Sequence, residues 1–158
     1  MKRIVKSFDF ILSFLITFLV YLIFPEWLNN EMLKDIYGIG ISVLSIIFSV
    51  YFAALAIIIS SGDDGFVMFL EEEGFYQKIL FTFEFTLGSL FIALAYSIIL
   101  YIVTVNWISL KIEAQPVLGF IFFILLFSYS LIATGLSALD AIKYAKYRSK
   151  YLKIEKKR

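Results

Sequence analysis

The chain of 158 residues contains no cysteine, no histidine and only two prolines. Without cysteine there is no disulfide, no thiolate metal site and no cysteine nucleophile. Without histidine, the commonest general base, the commonest metal ligand and the usual near-neutral pH switch are missing too. Charge is sparse, at 17% of residues, and nets only +1. That total says little, because the charges are segregated along the chain.

What fills the chain instead is apolar. Hydrophobic residues make up 61% and the mean hydropathy is +0.91, where a soluble domain is nearer half apolar. The apolar residues fall in blocks of about twenty, the length that crosses a bilayer. The pattern predicts an all-α integral membrane protein: a four-helix bundle over residues 1–142, whose last helix continues to about Leu152 into a basic amphipathic cytoplasmic tail over 143–158. Spans are expected at about 8–24, 36–60, 79–105 and 117–141, with an acidic loop at 61–78. Residues 1–24 combine a basic start with an apolar run. Pro25, Glu26 and Trp27 follow, not a small-residue cleavage pattern, so the segment reads as a retained first span. Pro25 ends that helix. Rich in Phe and Leu and lacking a small-residue seam, it belongs at the lipid-facing periphery.

Lysine and arginine set the expected orientation. Lys2, Arg3, Lys6, Lys78 and eight basic residues from Lys143 to Arg158 fall on one side, against Lys34 and Lys111 on the other. Twelve against two predicts both termini in the cytoplasm, which requires an even number of spans.

The second span has 25 uncharged residues from Ile36 to Ser60. Gly38, Ser42, Ser45, Ser49, Ala53, Ala56 and Ser60 share one face of it, at spacings of three and four. Small faces let helix backbones approach closely, which drives association in lipid. This seam is expected to pack helices or join copies. In the third span Thr82, Thr86, Ser89, Ala93, Ser97 and Thr104 form one face, with Glu84, Gly88 and Ala95 opposite. Gly119, Ser130, Thr134, Ser137 and Ala141 form a face on the fourth. Three such faces exceed what one bundle needs, so a homo-oligomer is expected.

Glu84 lies six residues past Lys78, about 9 Å along the helix. A carboxylate at that depth is costly unless it is paired, protonated or hydrated. It is either an ion-path residue or a partner for a flanking lysine. Asp9 and Asp140 lie near the same ends of their helices, so the three acids are expected in one layer. Such a layer either rings a cation path in an oligomer or pairs with lysines.

The acidic loop carries Asp63, Asp64, Glu71, Glu72 and Glu73, whose spacing matches no EF-hand. A short helix within it, ended by Gly74, would rest Phe66, Phe69 and Leu70 on the membrane surface. In the tail, Lys143, Lys146, Lys150, Lys153 and Lys157 line one side, and Tyr144, Tyr147, Tyr151 and Ile154 the neighbouring side. Such a helix binds anionic headgroups or docks a protein partner; only its charge points to nucleic acid, which is not an expected partner. Loop and tail share a side with opposite charge, so a clasp between them is expected, within or between subunits. No catalytic arrangement, cofactor motif or metal site is visible, and the protein is read as not an enzyme.

The stretch from Ser49 to Gly74 is an apolar helix ending Ile-Ile-Ser-Ser, then Gly62-Asp63-Asp64-Gly65, then Phe66-Val-Met-Phe-Leu before a glycine. In layout it resembles small bacterial four-span proteins that accompany antiphage defence genes, CRISPR-associated accessory membrane proteins among them. The resemblance implies a membrane sensor or effector that works with a soluble cytoplasmic partner, and it assigns no residue a role. Two other readings stand beside it: a stand-alone channel or holin-like pore using Glu84, and a passive scaffold that recruits a partner through its charged face.

Overall fold

The computed structural model describes residues 8–23, 28–60, 64–72, 74–112 and 117–156. Five helices account for nearly all of them: α1 (Phe8–Ile23), α2 (Asn30–Ser60), α3 (Asp64–Glu72), α4 (Tyr76–Ser109) and α5 (Val117–Glu155). Three of these, α2, α4 and α5, are long and apolar enough to cross a membrane. At 16 residues, or about 24 Å, α1 falls short of the usual spanning length. Four spans are therefore not carried by helix length alone.

Local chemistry sets the helix ends. The Asn29 side-chain oxygen accepts the Met32 N–H at 2.9 Å, capping an orphan donor of the first turn. With that cap α2 begins six residues before the span expected from hydropathy. At the far end of α3, Gly74 adopts φ +68°. Its N–H donates to the Glu71 carbonyl and the Phe75 N–H donates to that of Leu70, the paired bonds of a glycine-terminated helix. The same pair closes α4, where Lys111 donates to Ile108 and Ile112 to Trp107. There the left-handed position, φ +55°, is held by Lys111 itself.

Packing is antiparallel, and α1 joins the last helix, not the next one. Helix α2 lies along α4, α4 along α5, and α1 is close to α5 alone among the described helices. One core cluster gathers Leu44, Tyr51, Leu55, Phe83, Leu90 and Ala93 between α2 and α4, and runs down to Phe66, Leu70 and Tyr144. A second, at the opposite end, joins Leu33, Tyr37, Leu100, Phe120 and Phe123.

The buried face of α2 is Leu33, Tyr37, Gly40, Leu44, Tyr51, Leu55 and Ile58. It points away from the small-residue stripe. Ser42, Ser49, Ala53, Ala56 and Ser60 are exposed, and Gly38 and Ser45 are half-buried. The close approach inside this chain is instead made at Gly40, where a Cβ would lie 2.8 Å from the Phe123 ring. Conversely, α1 does have a small polar face. Ser13 and Thr17 are its buried residues, each donating to the carbonyl four residues back.

Candidate functional site

The end of the bundle that carries α3 is built from aromatic rings. Helix α5 runs without a break from Val117 to Glu155. Its last sixteen residues add about 24 Å beyond the apolar stretch. Along this extension Tyr144, Tyr147 and Tyr151 recur at helical spacing and face α3 and the start of α4. Phe66 meets Tyr144 and Tyr151 with ring centroids 5.3 and 5.5 Å apart. Phe69 meets Tyr151 at 5.8 Å, and Phe75 meets Tyr147 at 4.8 Å. Phe66 and Leu70 are 2% and 0% exposed, so they lie in this miniature core and not on a membrane surface. Each such burial from water stabilises by about 1.5–3 kcal/mol.

Two polar contacts complete the joint. The Tyr144 hydroxyl donates to the Ile58 carbonyl at 3.2 Å, in the last turn of α2. The Lys150 ammonium sits 5.8 Å from the centre of the Phe69 ring, within cation–π range.

Loop and tail do meet, then, but through rings. Glu71 and Glu72 are exposed and form no ion pair with Lys143, Lys146 or Lys153 among the described residues; Lys143 instead pairs with Asp140, 2.7 Å away on its own helix. Asp63 and Glu73 lie outside the described residues. Asp64 opens α3, and its side chain is likewise not described. The Tyr side of α5 being covered, the exposed remainder carries its basic residues, Lys143, Lys146, Arg148, Lys150, Lys153 and Lys156, with Ile142, Ala145, Ser149 and Leu152 between them.

The three acids expected in one layer are set at different heights. Phe10 contacts Tyr129 at 6.5 Å between centroids, and the Tyr129 hydroxyl faces Asp9. Ser130 donates to the Ser89 carbonyl at 3.3 Å, which fixes α4 against α5 at that height. Glu84 is five residues, or about 7 Å, nearer the α3 end, and Asp140 is ten residues, or about 15 Å, nearer it. Asp9 is thus well removed from Asp140, and Glu84 points outward from α4.

Glu84 and Phe91 are two turns apart on one side of α4. The Phe91 ring meets Phe48 at 6.3 Å, beside Ser45 and Ser49 on α2. The carboxylate and the α2 stripe therefore flank the same outer side of the α2–α4 pair. No carboxylate enters the interior of the described bundle; the buried polar side chains there are hydroxyls, Ser13, Thr17, Thr86, Ser97, Thr104, Ser128, Ser130 and Ser137.

No known protein family, no characterised protein and no solved structure matches the chain. The geometry therefore carries the functional argument. Sequence reasoning had both sets in view, Phe66-Phe69-Leu70 and Tyr144-Tyr147-Tyr151, but referred the first to the membrane surface and the second to headgroups or a protein partner. Matching helical spacings on two segments of one side was the signal that would have paired them. The Ser13–Thr17 face of α1 was missed, although its spacing of four was there to be read.

Proposed function

We propose that the protein is a non-enzymatic membrane component of a multi-protein bacterial system, and that it holds a rigid basic rod in the cytoplasm for a soluble partner. In this reading it sits in the inner membrane with four spans, both termini cytoplasmic, and associates with copies of itself. Three long apolar helices support the membrane setting, and the bias of twelve basic residues to two supports the orientation under the positive-inside rule. The exposed small-residue face of α2 supports self-association. The role as sensor or effector and the antiphage setting rest on the resemblance in layout.

The observation that carries the reading is the unbroken α5, locked on its Tyr side and exposed on its basic side. A tail that lies among headgroups keeps its apolar side for lipid. Here the aromatic side is spent on α3, and the basic residues, with Ile142 and Leu152 exposed among them, line a projecting rod. The test is a photo-crosslinking residue at Ser149 in living cells, with Ile102 on the outer face of α4 as control. A discrete adduct with a soluble protein from Ser149, absent from Ile102, is expected. Lipid adducts alone, or none, overturn the reading.

One observation favours a second reading, a pore between several copies: Glu84 and the α2 stripe flank the same outer side. With no interior carboxylate, an ion path would run between copies, not through one. Membrane potential is the measurement, in cells expressing this protein alone. A prompt collapse that Glu84→Gln prevents carries the pore reading; an unchanged potential removes it.

A further inference from the structure

The exposed side of the α5 extension has a second periodicity, distinct from its Tyr side. Ala138, Ile142, Ala145, Ser149, Leu152 and Lys156 follow one another at spacings of 4, 3, 4, 3 and 4, the alternation of a heptad seam. All six are exposed, Ile142 at 53% and Leu152 at 45%. Four of them, with Arg148 and Lys153, line a shallow groove of about 410 Å³. With Ile142 and Ser149 at a, and Ala145 and Leu152 at d, the flanking e and g positions are Lys146, Arg148, Lys153 and Glu155.

From this register we infer that the seam docks an amphipathic helix of the soluble partner, one with apolar a and d residues and acidic e and g residues. The inference rests on the partner-recruiting reading above and specifies the partner's chemistry. Small residues at 145 and 149 allow close backbone approach. Ile142 and Leu152 supply knobs on either side. Three of the four flanking positions are basic, so acidic flanks on the incoming helix complete the pairs that set partner choice in coiled coils.

The same register argues against a second copy as occupant. Copies that share one membrane present their α5 helices in parallel. A parallel pair brings g against the following e′, which sets Arg148 of each copy against Lys153 of the other. That repulsion selects against self-pairing and for a partner of opposite charge. The seam is short, but α5 is already folded and held by α3, so only the incoming helix has to be ordered.

The test uses the full chain in nanodiscs of zwitterionic lipid, with empty discs as blank. The probes are two labelled synthetic helices with Leu at a and d, one with Glu and one with Lys at e and g, followed by fluorescence anisotropy. The Glu probe is expected to bind at least about tenfold tighter than the Lys probe, a difference of about 1.4 kcal/mol. Two variants of equal charge change separate register from overall field. Arg148→Gln with Lys153→Gln should erase the preference, and Lys143→Gln with Lys150→Gln should keep it. A further pair, Arg148→Glu with Lys153→Glu, should reverse it.

Equal effects of the two glutamine pairs overturn the inference in favour of unspecific charge attraction. Equal binding of the two probes, or binding of neither, overturns it as well. A protein adduct at Ser149 without probe discrimination leaves the recruiting reading standing and removes only the heptad seam. Loss of the Ser149 adduct removes the recruiting reading itself.

Discussion

The hydroxyl of Tyr144 and the carbonyl oxygen of Ile58 meet at 3.2 Å, tying the α5 extension to the last turn of α2. At the other end of the bundle Tyr37 is fully buried, with no hydrogen-bond partner for its hydroxyl among the described residues. The two tyrosines predict opposite outcomes for one substitution. Tyr144→Phe takes a partner from a helix-end carbonyl and should destabilise by about 1 kcal/mol. Tyr37→Phe removes a buried hydroxyl that no described residue bonds, and should be neutral or stabilise by about 1 kcal/mol. Denaturant titration of both variants in detergent checks the sign.

Gly40 and Gly88 form a second contrasting pair. A Cβ at Gly40 would meet Phe123 at 2.8 Å, whereas nothing lies within 4 Å of one at Gly88. Phe123 is buried and packed against Tyr37 and Phe127, so its ring has little room to swing away. Gly40→Ala should cost about 1–3 kcal/mol through overpacking. Gly88→Ala, in the interior of α4, should gain up to about 1 kcal/mol from helix propensity. Thermal unfolding of the two proteins side by side separates them.

The left-handed positions that end α3 and α4 are occupied differently. Gly74 suits its φ of +68°, while Lys111 holds φ +55° with a side chain. That conformation costs an L-residue roughly 1–2 kcal/mol. Lys111→Gly should therefore stabilise by about 1 kcal/mol, and Gly74→Ala should destabilise by a similar amount. Thermal melts of the two variants should move in opposite directions.

Phe66 anchors α3 to Tyr144 and Tyr151. Phe66→Ala should cost about 3–5 kcal/mol locally. The loss should fall on the projecting end of α5, while α2 and α4 keep their own contact along the apolar stretch. Amide exchange over 144–155 should speed up at least about tenfold, with protection over 86–104 unchanged. Uniform acceleration along the chain would count against α3 as a local clamp.

Ser42, Ser49, Ala53, Ala56 and Ser60 of the α2 stripe are exposed in a single chain, so substitutions there separate folding from assembly. Ser49→Leu and Ala53→Leu should leave the unfolding transition within about 0.5 kcal/mol, the range of surface changes, yet shift the protein towards monomer. Sizing by light scattering in mild detergent reads the second effect. Monomeric wild-type protein would remove the self-association proposal.

The chain by itself determined that this protein is helical and where its long apolar helices run. Uncharged runs such as Ile36 to Ser60 leave the backbone polar groups no partner in lipid but their own helix, and that demand is local. It also determined which side of α4 is polar, since Glu84 and the line of Thr86, Ala93 and Ser97 lie on opposite faces by periodicity alone. Only the tertiary structure decided which faces meet. Periodicity says that a stripe exists and not what covers it, so the α2 stripe was legible while its exclusion from the core was not. Gly40 carries the close approach because the Phe123 ring arrives there from α5. The three acids, expected in one layer, fall at different heights because α1 docks part-way up α5 at Tyr129 and the Ser130–Ser89 contact sets the register of α4 on α5. The aromatic joint between α3 and α5 depends on two segments more than seventy residues apart coming together, a contact that no local pattern contains.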